Sequence, residues 1–143
     1  MKSMDWVFSN EVINKGEFLY IGEVDSNNKP NGYGFTLSKE KNWLVECYCT
    51  DGIDQGKSIE MSDTEVRIGI CKNGHWSGLW SIEFYNGDKH EALYENGQRN
   101  GLGNAKTADE NCYEGNWKDD NRNGHGIFKW MNGDYWMGNW KNG

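Results

Sequence analysis

Aliphatic side chains are scarce in this sequence, and its mean hydropathy is only -0.93. A domain of two packed layers normally buries more of them, so a conventional two-layer core is not expected. The apolar content lies instead in eight Trp, seven Tyr and five Phe, beside 19 glycines and one proline. No segment shows a convincing helical periodicity. The composition therefore predicts an all-β chain in which aromatic rings pack along a sheet.

Positive charge is also in short supply, since 15 Lys and Arg stand against 22 Asp and Glu, a net charge of -7. Nucleic acids and anionic bilayers attract clusters of basic residues. The sequence therefore argues against a nucleic-acid partner and disfavours a membrane. The apolar residues near the N-terminus, such as Trp6 and Val12, form a run too short and too interrupted for a signal peptide or a membrane span.

Residue groupings typical of enzymes are missing from the sequence. His75, His90 and His125 fall at unrelated positions, so no Ser-His-Asp or Cys-His grouping emerges at a plausible spacing. No glycine-rich phosphate-binding motif follows a predicted strand. We therefore expect a protein that is not an enzyme and that uses no cofactor.

The four cysteines do not have the spacing of a zinc knuckle. Cys47 and Cys49 form a Cys-x-Cys pair, not the Cys-x-x-Cys of such sites. Cys49 and Cys71 are expected about two strands apart, roughly 10 Å, which is too far for a disulfide. The pattern predicts free buried thiols, no metal site and a reducing compartment, which indicates the cytoplasm.

Glycine and tryptophan recur with a period of 23 residues in the C-terminal half. Gly101 and Gly124 are 23 residues apart, and so are Trp117 and Trp140. Self-similarity at a fixed period indicates an array of one supersecondary unit. An array of this kind is an unpromising place for catalytic residues.

Each period contains two turn signals and therefore two strands. Asn73-Gly74 and Asn96-Gly97 occupy one position of the period, and Asn86-Gly87 and Asn132-Gly133 occupy the other. Asn-Gly is preferred where two consecutive residues need positive φ, as in tight hairpins. The predicted fold is an elongated, twisted, single-layer antiparallel sheet of successive β-hairpins. Strand alternation would place the rings opposite the glycines.

The pattern Tyr-x-Gly-x-Trp, spacer, Gly-x-Gly resembles the MORN (membrane occupation and recognition nexus) repeat. Residues 113–134 fit it closely, and Tyr20 and Gly22 begin a similar copy near the N-terminus. The middle copies depart from it, with Arg67 and His90 in the tyrosine position and Trp80 in a glycine position. The resemblance divides the chain into an N-terminal edge segment, 1–18, and an array, 19–143. The expected units are 19–41, 42–64, 65–87, 88–110, 111–134 and, in part, 135–143.

The resemblance implies a module for protein–protein interaction, a scaffold that presents an aromatic groove to a partner helix or peptide. Trp and Tyr are enriched where partners bind most strongly, although the same rings also suit a stacked core. The six candidate groove residues are Tyr113, Trp117, Phe128, Trp130, Trp136 and Trp140.

Two other functions stay open. A small polar or aromatic ligand, such as a nucleotide, would bind where the middle units depart from the repeat, at Arg67, Trp80, His90 and Tyr94. A phospholipid-associated scaffold is the second alternative, which the negative charge disfavours. The array also stops within a unit, after Trp140, and proteins usually cover or pair an open edge. We therefore expect either a homodimer through this C-terminal edge or a natural protein that continues beyond it.

Overall fold

The structure, a computed structural model, describes residues 7–38, 40 and 42–143. Within these residues the chain forms twelve strands and no helix. The strands are β1 (Val7–Lys15), β2 (Phe18–Val24), β3 (Pro30–Ser38), β4 (Trp43–Thr50), β5 (Ile53–Met61), β6 (Glu65–Lys72), β7 (His75–Phe84), β8 (Lys89–Glu95), β9 (Gln98–Lys106), β10 (Cys112–Lys118), β11 (Asn121–Lys129) and β12 (Tyr135–Trp140). A helix with the length and apolar character of a membrane span is not found in the described ranges.

The strands form one open sheet in which every strand pairs with its neighbours in sequence. The order is β1 to β12 without a crossover, and each pair is antiparallel, from β1–β2 to β11–β12. The predicted single-layer sheet of successive hairpins is thereby confirmed. Strand β1 covers the edge of β2. The rest of the predicted edge segment, residues 1–6 with Trp6, lies outside the described residues.

Tyrosine rings lie over glycine backbone on one face of the sheet. Tyr20 and Tyr113 are buried, and a β-carbon added at Gly126 would lie 2.5 Å from the Tyr113 hydroxyl. The Tyr113 hydroxyl donates to the Asn116 carbonyl at 2.9 Å. Tyr20 makes the same bond three residues along its own strand. The glycines are therefore required by the close approach of a ring.

The two turn positions of the period have different geometries. At Asn73-Gly74 both residues have positive φ, 53° and 76°, as expected for a two-residue hairpin turn. In the other position only Gly87 has positive φ, 98°. Asn86 instead accepts the Asp88 N–H through Oδ1 at 3.0 Å. The expectation of two positive φ values is wrong there, because four residues separate β7 from β8 and only one of them must be left-handed.

The two-residue turns also tie each hairpin to the one before it. The Gly74 N–H donates to the Asp54 carbonyl at 3.0 Å, and the Gly97 N–H donates to the Trp76 carbonyl at 3.0 Å. Asp120 and Gly143 continue the series to the carbonyls of Arg99 and Arg122, at 3.3 and 3.0 Å. These bonds satisfy turn N–H groups at the edge of the array and join neighbouring units.

The core lies on one face of the sheet, not between two layers. We call this the aromatic face, because it carries the rings of Tyr20, Trp80 and Tyr113, which are almost fully buried. Buried side chains here form clusters around Tyr20 and around Trp80. The opposite side, which we call the outer face, carries the alternate residues of each strand.

Candidate functional site

Aromatic contacts on the C-terminal part of the aromatic face centre on Tyr113. Its ring meets the rings of Trp117 and Trp140 edge-on, each with a centroid separation of 5.2 Å. Such T-shaped pairs stabilise beyond the area that they bury. Burial raises the pKa of Tyr113 above its usual value, against the effect of the nearby Arg122 charge. The hydroxyl therefore stays protonated and keeps its hydrogen bond to Asn116.

Two arginines cover these rings, and the sequence analysis did not single them out. The Arg122 guanidinium lies 4.8 Å from the Tyr113 ring and 5.2 Å from the Trp140 ring. Arg99 lies 4.0 Å from the Trp117 ring and pairs with Asp120. Arg99 and Arg122 are 23 residues apart, so the period itself was a signal for them. Each packs as a cation over an aromatic face.

The structure brings all six predicted groove residues to the aromatic face, between β10 and β12. Tyr113 and Trp117 are buried, and Phe128 and Trp140 are half-buried. Trp130 and Trp136 expose 45% and 43% of their surface. The part of this face that a partner can touch is therefore formed mainly by Trp130 and Trp136.

In the middle of the array the ring is on the second strand of the hairpin and the glycine on the first, which is the reverse of the C-terminal unit. In the C-terminal unit the ring of Tyr113 on β10 covers Gly126 on β11. In the middle unit the ring of Trp80 on β7 covers Gly69 on β6. The Trp80 indole N–H donates to the Ile70 carbonyl at 3.0 Å, and the ring stacks on Trp76 with a centroid separation of 4.3 Å. Trp80 thus fills the space that a tyrosine fills elsewhere.

Arg67, in the tyrosine position of that unit, lies among acidic and aromatic side chains. It forms ion pairs with Glu65 and, at 3.4 Å, with Glu60. Its guanidinium lies 5.1 Å from both the Trp43 and the Trp76 rings. Trp76 Nε1 also donates to Glu60 at 2.7 Å. Arg67 is therefore already neutralised by carboxylates, which leaves little positive charge to attract an anion.

Three of the four residues predicted for a small-ligand pocket do share one hollow, of roughly 470 Å³. Arg67, His90 and Tyr94 line it, whereas Trp80 is buried beneath and does not. Burial lowers the pKa of His90, with the Arg99 charge as a second cause. The imidazole packs edge-on against Phe84, with a centroid separation of 5.1 Å. A ligand in this hollow stays a prediction.

The buried carboxyl of Glu60 accepts hydrogen bonds from Arg67 and Trp76, two residues that line this hollow. Burial raises its pKa, while the hydrogen bond from Trp76 and the Arg67 charge act in the opposite direction. Arg67 and Trp76 thus reduce the cost of placing a carboxylate on the aromatic face. The members of the cluster pair with one another, although Arg67 Nε is buried without a hydrogen-bond partner among the described residues. We interpret the cluster as packing of the irregular middle unit.

The outer face exposes many apolar side chains, a feature that the sequence analysis missed. Leu102 and Met137 expose 63% and 66% of their surface. The signal was the alternation of strands such as β6, where Ile68 and Ile70 flank Gly69 and point away from the rings. The exposed apolar residues of this face include Ile21, Tyr33, Leu37, Tyr48, Ile68, Ile70, Leu79, Leu93, Leu102 and Met137.

A hollow of roughly 550 Å³ lies in the outer face over β7 to β12. Leu79, Leu93 and Leu102 line one side and Ile127 and Met137 the other. Glu91, Asn104 and Glu114 form a polar row of direct cross-strand partners. Ile127 and Met137 continue this row on β11 and β12. The hollow therefore offers apolar side chains next to two carboxylates.

An open sheet of repeated hairpins with a buried line of rings defines a repeat protein. The family model for the MORN repeat matches residues 20–38 and 113–135. These two segments therefore match the MORN repeat, and they are the segments in which Tyr20 and Tyr113 make their equivalent hydrogen bonds. A comparison with curated proteins found no match. The repeat suggests a binding or scaffold role.

Proposed function

We propose that this chain is a non-enzymatic interaction module of the cytoplasm that holds a basic amphipathic segment of a partner protein in the outer-face hollow. The observation that carries the proposal is the exposed apolar wall formed by Leu93, Leu102 and Met137. Exposed apolar side chains that line one hollow are a feature of binding sites. An amphipathic helix or an extended peptide would cover it with alternating apolar side chains.

Charge favours a basic partner over a second copy of the chain. The residues that line the hollow include Glu91 and Glu114 but no Lys or Arg. Two copies placed face to face would bring these carboxylates together, and like charges across an interface are unfavourable. Lysines or arginines flanking the apolar side chains of a partner would instead pair with them.

The aromatic groove is the second proposed contact surface of the module. Because Tyr113 and Trp117 are buried, they would support the surface and Trp130 and Trp136 would meet the partner. Exposed tryptophans bind partners strongly when they become desolvated. The two surfaces lie on opposite faces, so variants can separate them.

The test uses two synthetic helical peptides with the same apolar positions, one with Lys and one with Glu at the polar positions. Fluorescence anisotropy measures their affinity for the full chain and for Leu102→Asp, Glu114→Lys and Trp136→Ala. The Lys peptide should bind the full chain, and each outer-face change should weaken it by about tenfold or more, which is roughly 1.4 kcal/mol. Trp136→Ala, on the other face, is the matched control and should bind as the full chain does.

Equal binding of the Glu peptide, or no binding of either peptide, would count against the outer-face proposal. Loss of binding in Trp136→Ala with Leu102→Asp unaffected would assign the partner to the aromatic groove. Flotation with anionic vesicles tests the membrane alternative, since the negative chain should stay unbound at physiological salt.

The C-terminal edge is the place where we propose that a second copy pairs. Among the described strands β12 has one hydrogen-bonded neighbour, β11, so its other edge presents unpaired backbone groups. Asn139→Pro would remove a donor from this edge strand or weaken its pairing with β11. Light scattering should show a dimer for the full chain and a monomer for the variant. A monomer for the unchanged chain at high concentration would contradict edge pairing.

A further inference from the structure

Cys47 and Cys49 lie beside Asp54 on the aromatic face of the β4–β5 hairpin. The two cysteines are two residues apart on β4, so both side chains point to the same face. Asp54 lies directly opposite Cys49 on β5. Both cysteines are buried, and both are free thiols. The hairpin thus brings two sulfur ligands and one oxygen ligand to one place.

The spacing of these three donor atoms fits a tetrahedral metal ion. The sulfurs are 3.6 Å apart, and Asp54 Oδ1 lies 3.3 Å from the Cys47 sulfur and 3.4 Å from the Cys49 sulfur. Zinc–sulfur bonds of about 2.3 Å and zinc–oxygen bonds of about 2.0–2.1 Å at tetrahedral angles require separations of about 3.8 Å and 3.5–3.6 Å. The three atoms therefore need to move by only a few tenths of an ångström to share one ion.

The surroundings provide an open side and a neighbouring hydroxyl group. A hollow of roughly 470 Å³ opens over the hairpin and is lined by Cys49 and Asp54 together with Tyr20, Trp43 and Trp76. Ser58 lies directly opposite Cys47 on β5. Its hydroxyl is buried and interacts with the Cys71 thiol. A fourth ligand from solvent can thus enter from the hollow, with Ser58 on the same face of the hairpin.

We propose that Cys47, Cys49 and Asp54 bind one zinc ion and leave its fourth position open to water or to a small ligand in the hollow. Two thiolates with one carboxylate suit zinc better than the hard cations magnesium and calcium. On binding, two zinc–sulfur bonds replace two thiol S–H bonds, and both protons pass to the buffer. The site goes beyond the interaction function and does not depend on it.

The site departs from the expectation of no metal, which rested on Cys-x-Cys spacing. That spacing holds two ligands on one strand, and the third comes from the partner strand across the turn at Asp51 and Gly52. Asp54 was not singled out because its place opposite Cys49 depends on the register of the hairpin.

The experiment titrates Co²⁺ and then Zn²⁺ into the full chain, reduced with a phosphine and freed of metal. The chain should bind one equivalent of Co²⁺ and show the absorption of a tetrahedral cobalt thiolate. Zn²⁺ should displace the Co²⁺ and raise the Tm of the protein. Cys49→Ser and Asp54→Asn should each weaken metal binding by more than roughly 10- to 100-fold. That range is typical of replacing a residue that only hydrogen-bonds to a metal ligand. Cys112→Ser, a thiol on β10 outside the cluster, is the matched control and should bind as the full chain does.

An octahedral cobalt spectrum, or no stoichiometric binding by the full chain, would overturn the site. So would unchanged affinity in Asp54→Asn, a variant of nearly the same shape whose fold is checked by circular dichroism. Should Cys49→Ser fail to fold, the Asp54→Asn and Cys112→Ser pair still decides the outcome. A cobalt thiolate spectrum that Cys112→Ser abolishes would also refute the assignment.

Discussion

Replacing Gly126 by alanine tests whether the rings need glycine beneath them. Elsewhere in a strand this change removes a weakening residue and stabilises by roughly 0.5–1 kcal/mol. Here the new β-carbon would lie 2.5 Å from the Tyr113 hydroxyl oxygen and 2.7 Å from Cε2. The hydroxyl oxygen would have to retreat to at least 3.4 Å, a distance of ordinary contact, and so by about 0.9 Å.

A retreat of that size has two costs. Forcing an extra carbon into a packed core costs roughly 1–3 kcal/mol. The bond from the Tyr113 hydroxyl to the Asn116 carbonyl, 2.9 Å long, would be lost or lengthened, at a cost of roughly 1 kcal/mol. When the stability gained by replacing a strand glycine is subtracted from these costs, we expect Gly126→Ala to lower the free energy of unfolding by about 2 kcal/mol. Urea unfolding followed by circular dichroism, with unchanged m-value, measures this difference.

A double-mutant cycle isolates the ring as the cause. In a Tyr113→Leu background the three ring and hydroxyl atoms nearest to the new β-carbon are gone, so the same change should be neutral or stabilise slightly. In a Tyr113→Phe background the ring stays and the hydrogen bond is already gone, so an intermediate cost is expected. Neighbouring residues couple in this way when one interaction links them. An equal cost of Gly126→Ala in all three backgrounds would refute the ring-over-glycine account.

Three further predictions concern the middle unit and the turns. Trp80→Phe should lower the free energy of unfolding by about 2–3 kcal/mol, because the ring is fully buried and donates to Ile70; Trp130→Phe, on an exposed ring, is the control and should stay within about 0.5 kcal/mol. Because the pKa of His90 is lowered by burial, the folded protein should lose stability as pH falls below the unfolded value of about 6.5. The free energy of unfolding of His90→Phe, measured relative to the unchanged chain by urea titration, should therefore be higher at pH 5.5 than at pH 7.5. The same difference between the two proteins at both pH values would contradict this. Gly74→Ala should lower the free energy of unfolding by about 1 kcal/mol because φ is 76°. Gly74→Asn should lose much less stability than Gly74→Ala. Equal thermal stability of the two variants would show that backbone strain is not the cause.

Much of the fold follows from local patterns that are visible in the sequence. The 23-residue period, the alternation within strands and the Asn-Gly pairs each concern residues close in the chain, so they predict hairpins without knowledge of the whole molecule. The placement of Tyr113 over the glycine at 126 is of this kind, because both belong to one hairpin.

The candidate sites were harder to predict because they combine residues through cross-strand register. The 23-residue spacing of Arg99 and Arg122 marks them as part of the repeat, but their packing over the rings of Trp117 and Tyr113 depends on which strands lie side by side. Judged from the sequence, the middle unit lacks the ring of the usual tyrosine. In the structure, Trp80 supplies a ring from the other strand of the hairpin.

The sequence by itself determined that this chain is an array of hairpins with rings over glycines, since turn chemistry, alternation and period act over short distances. Only the tertiary structure decided which surfaces are available. It left the leucines around Leu102 uncovered on the outer face, because a single-layer sheet has no second layer to bury them. It also brought Asp54 to the two thiols, because that contact depends on which residues of β4 and β5 lie opposite each other.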